Sequence, residues 1–131
     1  MKGFMKFLVT GGAGFIGSNI VKKLVSRGDH VTVIDNLITG KEENLASVKD
    51  KIILLKDSIL NINLLENQTQ DIDGIFHQAA LASVQDSFSN PKEYHNVNVN
   101  GTENILKLAI KNNFKVVYAS SSSVYGNPEK I

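Results

Sequence analysis

The sequence predicts an α/β domain built on a doubly wound parallel sheet, and three observations carry that prediction. Short apolar runs alternate with longer stretches whose apolar residues recur at helical spacing. The first apolar run breaks at Gly11-Gly12, and a helical pattern begins directly after it. No Pro/Gly/Ser-rich linker and no internal repeat interrupts the alternation, so residues 1–131 form one domain.

The elements follow in order. After a lead-in over residues 1–5, Lys6 to Thr10 is a short apolar run ending at glycines, which is the pattern of a buried strand. Gly14 to Arg27 sets Ile16, Ile20 and Leu24, with Val21 and Val25, on one side of a helix that stops at Gly28. His30 to Asp35 is a second strand, and Asn36 to Ser47 is loop with room for one helical turn. Ile52 to Lys56 is a third strand and Asn61 to Gln70 a weak helix around Leu64 and Leu65. Gly74 to Gln78 is a fourth strand, followed by a loop of small and polar residues from Ala79 to Asn90. Pro91 opens a long helix that runs to Asn112, because a proline in the first turn loses no hydrogen bond. Lys115 to Ser120 is the fifth strand. No helical pattern follows it, so the doubly wound sheet reads as cut off after that strand, with an exposed edge and uncovered apolar surface.

Composition narrows the chemistry. The 131 residues are 42% hydrophobic and 21% charged, with 14 basic and 13 acidic side chains and a net charge of +1. Such a balance offers no electrostatic attraction to nucleic acid or to an anionic membrane. There is no cysteine, which removes disulfides, thiolate metal ligands and thiol nucleophiles. His30, His77 and His95 are isolated, and no metal-ligand spacing occurs; His77 at a strand end reads as a packed, hydrogen-bonded residue. The apolar start is broken by glycines and is followed by no cleavage signal, so it reads as strand and turn, and the chain as cytoplasmic.

The strongest motif is "LVTGGAGFIGSN", in which Gly12-x-Gly14-x-x-Gly17 follows a strand and opens a helix, with Gly11 extending the spacing. Glycine there allows the tight turn, lets backbone approach a pyrophosphate, and lets the helix lie close to the sheet. An anion then sits at the helix N-terminus, where free N–H groups and the helix dipole favour it. This is the dinucleotide-binding turn of a Rossmann-type sheet. Asp35 closes the second strand about 20 residues on, where an acid binds the adenosine ribose hydroxyls. Its charge would repel a 2′-phosphate, which selects NAD over NADP. The other task open to Asp35 is to cap the turn that follows.

With "TGGAGFIGS", "VIDNLITGK", "IFHQAALASV", "NVNGT" and "ASSSSVYG" occurring in that order, the chain resembles the extended short-chain dehydrogenase/reductases. Within them it is most similar to the sugar-nucleotide 4-epimerases acting on UDP-glucose and UDP-N-acetylglucosamine. The resemblance implies that Gly11, Gly14 and Gly17 line the pyrophosphate, with backbone amides from Phe15 and Ile16. It places Asp35, Asn36 and the loop through Gly40 at the adenosine ribose, and Asp57-Ser58 at the adenine, where Ser58 departs from the family's apolar residue. Gln78, Ala79, Ala80 and Leu81 would run along the nicotinamide, and Ser83, Val84 and Ser123 would face the sugar nucleotide. Asn98 would lie near the reacting centre or simply kink its helix.

The same resemblance implies that a serine beyond the fifth strand bonds the sugar's reacting hydroxyl. Counting back four from Tyr125 gives Ser121, with Ser122 beside it; the alternative is a polar loop whose hydroxyls cap the next turn. Dehydratases and decarboxylases of the family carry acids where this chain has Ser122 and Ser123, which favours epimerisation. The family's proton-exchanging tyrosine precedes a lysine by four. Here Tyr94, Tyr118 and Tyr125 are followed at that distance by Asn98, Ser122 and Glu129. The 131 residues thus read as the N-terminal part of an NAD-dependent epimerase, inactive alone and forming a homodimer when full-length. A sugar-nucleotide reductase or dehydrogenase, and a non-catalytic dinucleotide-binding module, are the alternatives.

Overall fold

The computed structural model describes residues 3–127 and Glu129. The first two residues of the lead-in and residues 128, 130 and 131 lie outside the described part.

Five strands form one sheet in the order β3-β2-β1-β4-β5. They are β1 (Lys6–Thr10), β2 (His30–Ile34), β3 (Ile52–Leu55), β4 (Gly74–His77) and β5 (Lys115–Tyr118), and every pairing is parallel. Parallel neighbours need crossover connections, and these supply the helices. Helix α1 (Phe15–Ser26) joins β1 to β2, a ten-residue 3₁₀ segment (Glu42–Lys51) precedes β3, and α2 (Ile62–Gln68) joins β3 to β4. Between β4 and β5 come α3 (Val84–Ser89), α4 (Pro91–His95), a π-helical stretch (Asn96–Gly101) and α5 (Thr102–Asn112). The sheet grows outward from β1 in both directions. Its strand order therefore reverses between β1 and β4, and ligands of such sheets bind at that reversal, beyond the strands' C-terminal ends.

Alternation along the strands builds two cores. Leu8, Ile34 and Ile75 meet Leu65 of α2, Ile105 and Leu108 of α5, and Phe114 on one face. Val9, Val31 and Val33 meet Val21 and Leu24 of α1, with Leu45 and Val48 of the 3₁₀ segment, on the other. Burial of such side chains contributes about 1.5–3 kcal/mol each. The C-terminus of α1 is fixed as its glycine predicts. Gly28 adopts φ +89°, its N–H donates to the Val25 carbonyl, and the Asp29 N–H donates to the Leu24 carbonyl. That is the Schellman arrangement.

All five expected strands are present, each ending one or two residues early at most, and β5 lies at an edge with Val117 and Tyr118 exposed. Three expectations need correction. Residues 84–89, read as loop, form α3, because Ser83 Oγ accepts from the Asp86 N–H and caps it. The Ser-x-x-Asp spacing of a capping box was present there. The long helix from Pro91 is not uniformly α: its centre is wound as a π-helix. The single helical turn expected before β3 is the longer 3₁₀ segment.

Candidate functional site

Beyond the ends of β1, β2 and β4 lies a cleft enclosing about 590 Å³ of space free of protein atoms, part of it open to solvent. Gly11 and Gly14, Asp35 and Asn36, Ile38 to Gly40, Asp57 to Ile59, and Gln78 to Leu81 form its walls.

The glycine turn is shaped by close approaches. Gly11 adopts φ +67°, and a Cβ on it would lie 2.7 Å from the Ala79 nitrogen. The turn from β1 thus runs against the backbone leaving β4, while the Gln78 N–H donates to the Thr10 carbonyl at 3.0 Å. The Gly14 N–H donates back to Gly11 O, closing the turn. Gly14 is the N-cap of α1, with no side-chain cap and no acid in the first turn. The N-terminus of a twelve-residue helix thus begins at the cleft wall, with no acid in its own first turn.

Asp35 is 7% exposed, and both of its carboxylate oxygens are engaged. Oδ2 accepts from the Ala13 N–H at 2.9 Å, inside the glycine turn, and Oδ1 accepts from the Leu37 N–H at 2.8 Å. The Ala13 carbonyl is held in turn by Asn44 Nδ2 at 2.8 Å and by the Lys41 N–H. Asp35 therefore caps the following turn, one of the tasks weighed for it, and also lines the cleft. Each carboxylate oxygen keeps a second lone pair for a ligand hydroxyl.

Asp57 and Ser58 line the cleft and order their own turn. Asp57 accepts from the Ser58 N–H and from Asn61 Nδ2, and Ser58 Oγ accepts from the Leu60 N–H. The apolar contact missing at Ser58 is offered one residue later by buried Ile59. Ile38 and Val97 also line the cleft. Neither was singled out in the sequence, since a lone apolar residue in a loop or helix carries no motif.

At the β4 end, Leu81 is gripped by Asn98. The side-chain oxygen of Asn98 accepts from the Leu81 N–H at 2.8 Å, and its Nδ2 donates to the Leu81 carbonyl at 2.9 Å. Asn98 lies in the π-helical stretch, a distortion frequent at functional sites. Behind this loop His77, 2% exposed, has both ring nitrogens hydrogen-bonded. Nδ1 pairs with Thr10 Oγ1 at 2.6 Å and Nε2 with Thr102 Oγ1 at 2.9 Å.

Burial lowers the His77 pKa from 6.5 to about 4. Its polar partners are neutral hydroxyls, and the ring stacked on it is Tyr118. Unfolding exposes an imidazole that binds a proton more readily than the folded one. This contribution to stability is complete above about pH 6.5 and is lost as the pH falls toward 4, at up to about 1.4 kcal/mol per pH unit. Denaturant midpoints measured between pH 7 and 4.5 should fall steeply, and His77→Gln should flatten the profile. Parallel profiles for the two proteins would refute the assignment.

Other expected site residues lie outside the cleft walls. Gly17 packs beneath the turn, against Gly11 and Gly12. The side chains of Phe15 and Ile16 are exposed and line a second, apolar groove with Ile20, Leu24 and Phe76, leaving only their amides at the turn. Ser83 caps α3, and Val84 is exposed. Ser121 Oγ accepts from the Ser123 N–H at 3.1 Å and caps a 3₁₀ turn over Ser122–Tyr125, while Ser121, Ser122 and Ser123 stay exposed. The capping task weighed for Ser121 is thus observed, and its hydroxyl proton remains free to donate.

The chain is similar to known enzymes over nearly its whole length. It is 40% identical over 119 residues to the UDP-N-acetyl-alpha-D-glucosaminuronate decarboxylase of Bacillus cytotoxicus, covering 91% of this chain and 37% of that protein. Among solved structures it matches the UDP-N-acetylglucosamine 4-epimerase of Methanobrevibacter ruminantium M1, in complex with UDP-N-acetylmuramic acid, with a TM-score of 0.89 and 40% identity. It matches the UDP-glucose 4-epimerase of Thermotoga maritima, with UDP-glucose, with a TM-score of 0.88 and 37% identity. Each match covers 97% of this chain and 41% of that structure, so the chain spans about two-fifths of the length of these relatives. A glycine turn, a strand-end acid and a parallel sheet reversing between β1 and β4 are what such similarity requires, and the match to the family's own pattern extends over residues 7–131; the chain belongs to the NAD dependent epimerase/dehydratase family.

Proposed function

We propose that the cleft binds NAD and that the chain is the cofactor-binding part of a sugar-nucleotide 4-epimerase. The observation that carries the proposal is convergence. An uncapped helix N-terminus, a strand-end carboxylate and the backbone leaving β4 face one cleft at the sheet's reversal point. The residues fit the cofactor. The free amides of the α1 N-terminus would hold the pyrophosphate, and the spare lone pairs of Asp35 the adenosine ribose hydroxyls. Gln78 to Leu81 would flank the nicotinamide. Bound NAD would supply hydride exchange at the sugar's C4.

Among the enzymes of this family, epimerisation is the reading supported by the resemblance, which implies acids in dehydratases and decarboxylases where this chain has Ser122 and Ser123. Ser121 would bond the reacting hydroxyl, with Ser83, Val84 and Ser123 on the sugar-nucleotide side. The 131 residues contain no tyrosine followed by lysine four positions on, the pair that the family resemblance makes the proton exchanger. The chain by itself is therefore proposed to bind NAD without turning over UDP-sugar.

Calorimetric titration tests both halves. NAD and ADP-ribose should each bind at one site, NADP much more weakly, and UDP-glucose mixed with chain and NAD should remain unepimerised. Absence of binding by NAD and by ADP-ribose would reject the cofactor reading, and epimerisation would reject the proposed inactivity.

A further inference from the structure

The hydrogen bonds around His77 have a direction. Thr102 Oγ1 donates its one hydrogen to the Asn98 carbonyl at 2.7 Å. Toward His77 Nε2 it is therefore an acceptor, which places a proton on Nε2. A neutral ring then leaves Nδ1 as an acceptor, and Thr10 Oγ1 donates to it. The free lone pairs of Thr10 Oγ1 accept in turn from the Ala79 N–H at 3.3 Å. Every hydrogen in this chain is used once: Ala79 N–H to Thr10, Thr10 to His77, His77 to Thr102, Thr102 to Asn98. The opposite tautomer would set two donors against each other at Nδ1 or leave Nε2 facing a hydroxyl with no hydrogen to give.

The chain of bonds joins three elements that are separate in sequence: the end of β1, the backbone leaving β4, and the π-helical stretch. Its two ends are the backbone of Ala79 and the main chain of Asn98, and the Asn98 side chain returns to grip Leu81. Residues 79–81 are thus bounded on both sides by groups that His77 connects. Stacking of the ring on Tyr118, with centroids 5.9 Å apart and planes at 22°, ties the same hub to β5.

We infer that His77 is a positioning residue: as the neutral Nε2–H tautomer it connects Thr10 to Thr102 and so fixes the 79–81 backbone that faces the nicotinamide half of the cofactor. This rests on the reading of the cleft as a dinucleotide site. The pyrophosphate turn and Asp35 are held by separate bonds, through Ala13, Leu37 and Asn44. The turn meets the hub where Gly11 lies against Ala79, but these further bonds hold it as well, so loosening the hub acts more on the nicotinamide half than on the other.

The experiment compares NAD with ADP-ribose, which lacks the nicotinamide, on the chain and on His77→Leu and His77→Gln. His77→Leu should lower NAD affinity about tenfold and leave ADP-ribose within about twofold, since a misplacement confined to one end of a ligand is felt by the part bound there. His77→Gln, which can still donate to Thr102, should recover part of the loss. Nitrogen-15 spectra of the unsubstituted chain at pH 7 should show a hydrogen on Nε2, protected from exchange, and none on Nδ1. That measurement stands even if a variant fails to fold. An Nδ1–H tautomer, an imidazolium, or equal losses of NAD and ADP-ribose would overturn the inference while leaving the cofactor reading intact. A chain that binds neither ligand overturns both.

Discussion

Gly17→Ala is expected to be the most damaging single substitution in the glycine turn. A Cβ at Gly17 would fall inside the contact radius of the Gly11 carbonyl oxygen and within 2.8 Å of the Gly12 Cα. Both neighbours are backbone atoms of the turn, so no side chain can swing away. Helix α1 must lift off the sheet or the turn must open. Overpacking of a buried site costs roughly 1–3 kcal/mol and more when backbone must move. Gly17→Ala should therefore lose about 3 kcal/mol or more of stability, with NAD binding reduced beyond about 100-fold. Gly11→Ala should come second, through its positive φ and its clash with Ala79. Gly14→Ala should be mild. Its φ is −75°, and its Cβ would meet only the Gly11 oxygen at 3.3 Å. Denaturant unfolding of the three variants gives the order. Equal losses at Gly14 and Gly17 would reject it.

That ranking marks where the sequence stops being informative. The spacing of Gly11, Gly14 and Gly17 announces a dinucleotide turn because glycines at such steps serve the tight turn and close backbone approach, and it lies between a strand and a helix as that motif requires. Which glycine carries which burden depends on distances between atoms far apart in sequence, such as Gly11 to Ala79. The strands were legible because parallel strands are short, mostly apolar runs, and each of these is bounded by glycine or polar residues, although β3 and β5 at the sheet's edges are not fully buried. The π-helical winding of Asn96–Gly101 was not legible, because it follows from tertiary contacts. A Cβ at Gly101 would meet the Ile59 side chain at 2.5 Å, and Asn98 is turned to grip Leu81. His77 was read as a packed, hydrogen-bonded residue, and it is. Its two hydroxyl partners, 67 and 25 residues away in sequence, could not be read from a single strand end.

Asp35→Ala should remove both cofactor binding and a good part of the domain's stability, and it should not create an NADP-binding protein. A strand-end acid in a dinucleotide fold invites the view that its charge is the whole determinant of cofactor choice, so that deleting it opens the site to a 2′-phosphate. Here the carboxylate is built into the turn. Without it the N–H of Ala13, a residue with no exposed surface, loses its acceptor, and so does the N–H of Leu37. A buried amide left unpaired costs roughly 1–3 kcal/mol, so Ala13 contributes about that much and the half-buried Leu37 adds a smaller cost. Gly40 also lies over the carboxylate, so close that a Cβ there would be 2.8 Å from Oδ1 and 2.9 Å from Oδ2. The loop is folded around the acid and offers no ready space for a phosphate. Asp35→Asn would keep the shape but turn an NH₂ toward one of the two amides, satisfying only one of them. Its loss of stability should fall between those of the parent chain and Asp35→Ala. Denaturant unfolding paired with NAD and NADP titrations decides the matter. If Asp35→Ala unfolds within about 0.5 kcal/mol of the parent, the magnitude of an ordinary surface change, the carboxylate is only a ligand contact and the turn is held by something else. If it instead gains NADP affinity at full stability, charge alone sets the choice and the roof formed by Gly40 is irrelevant.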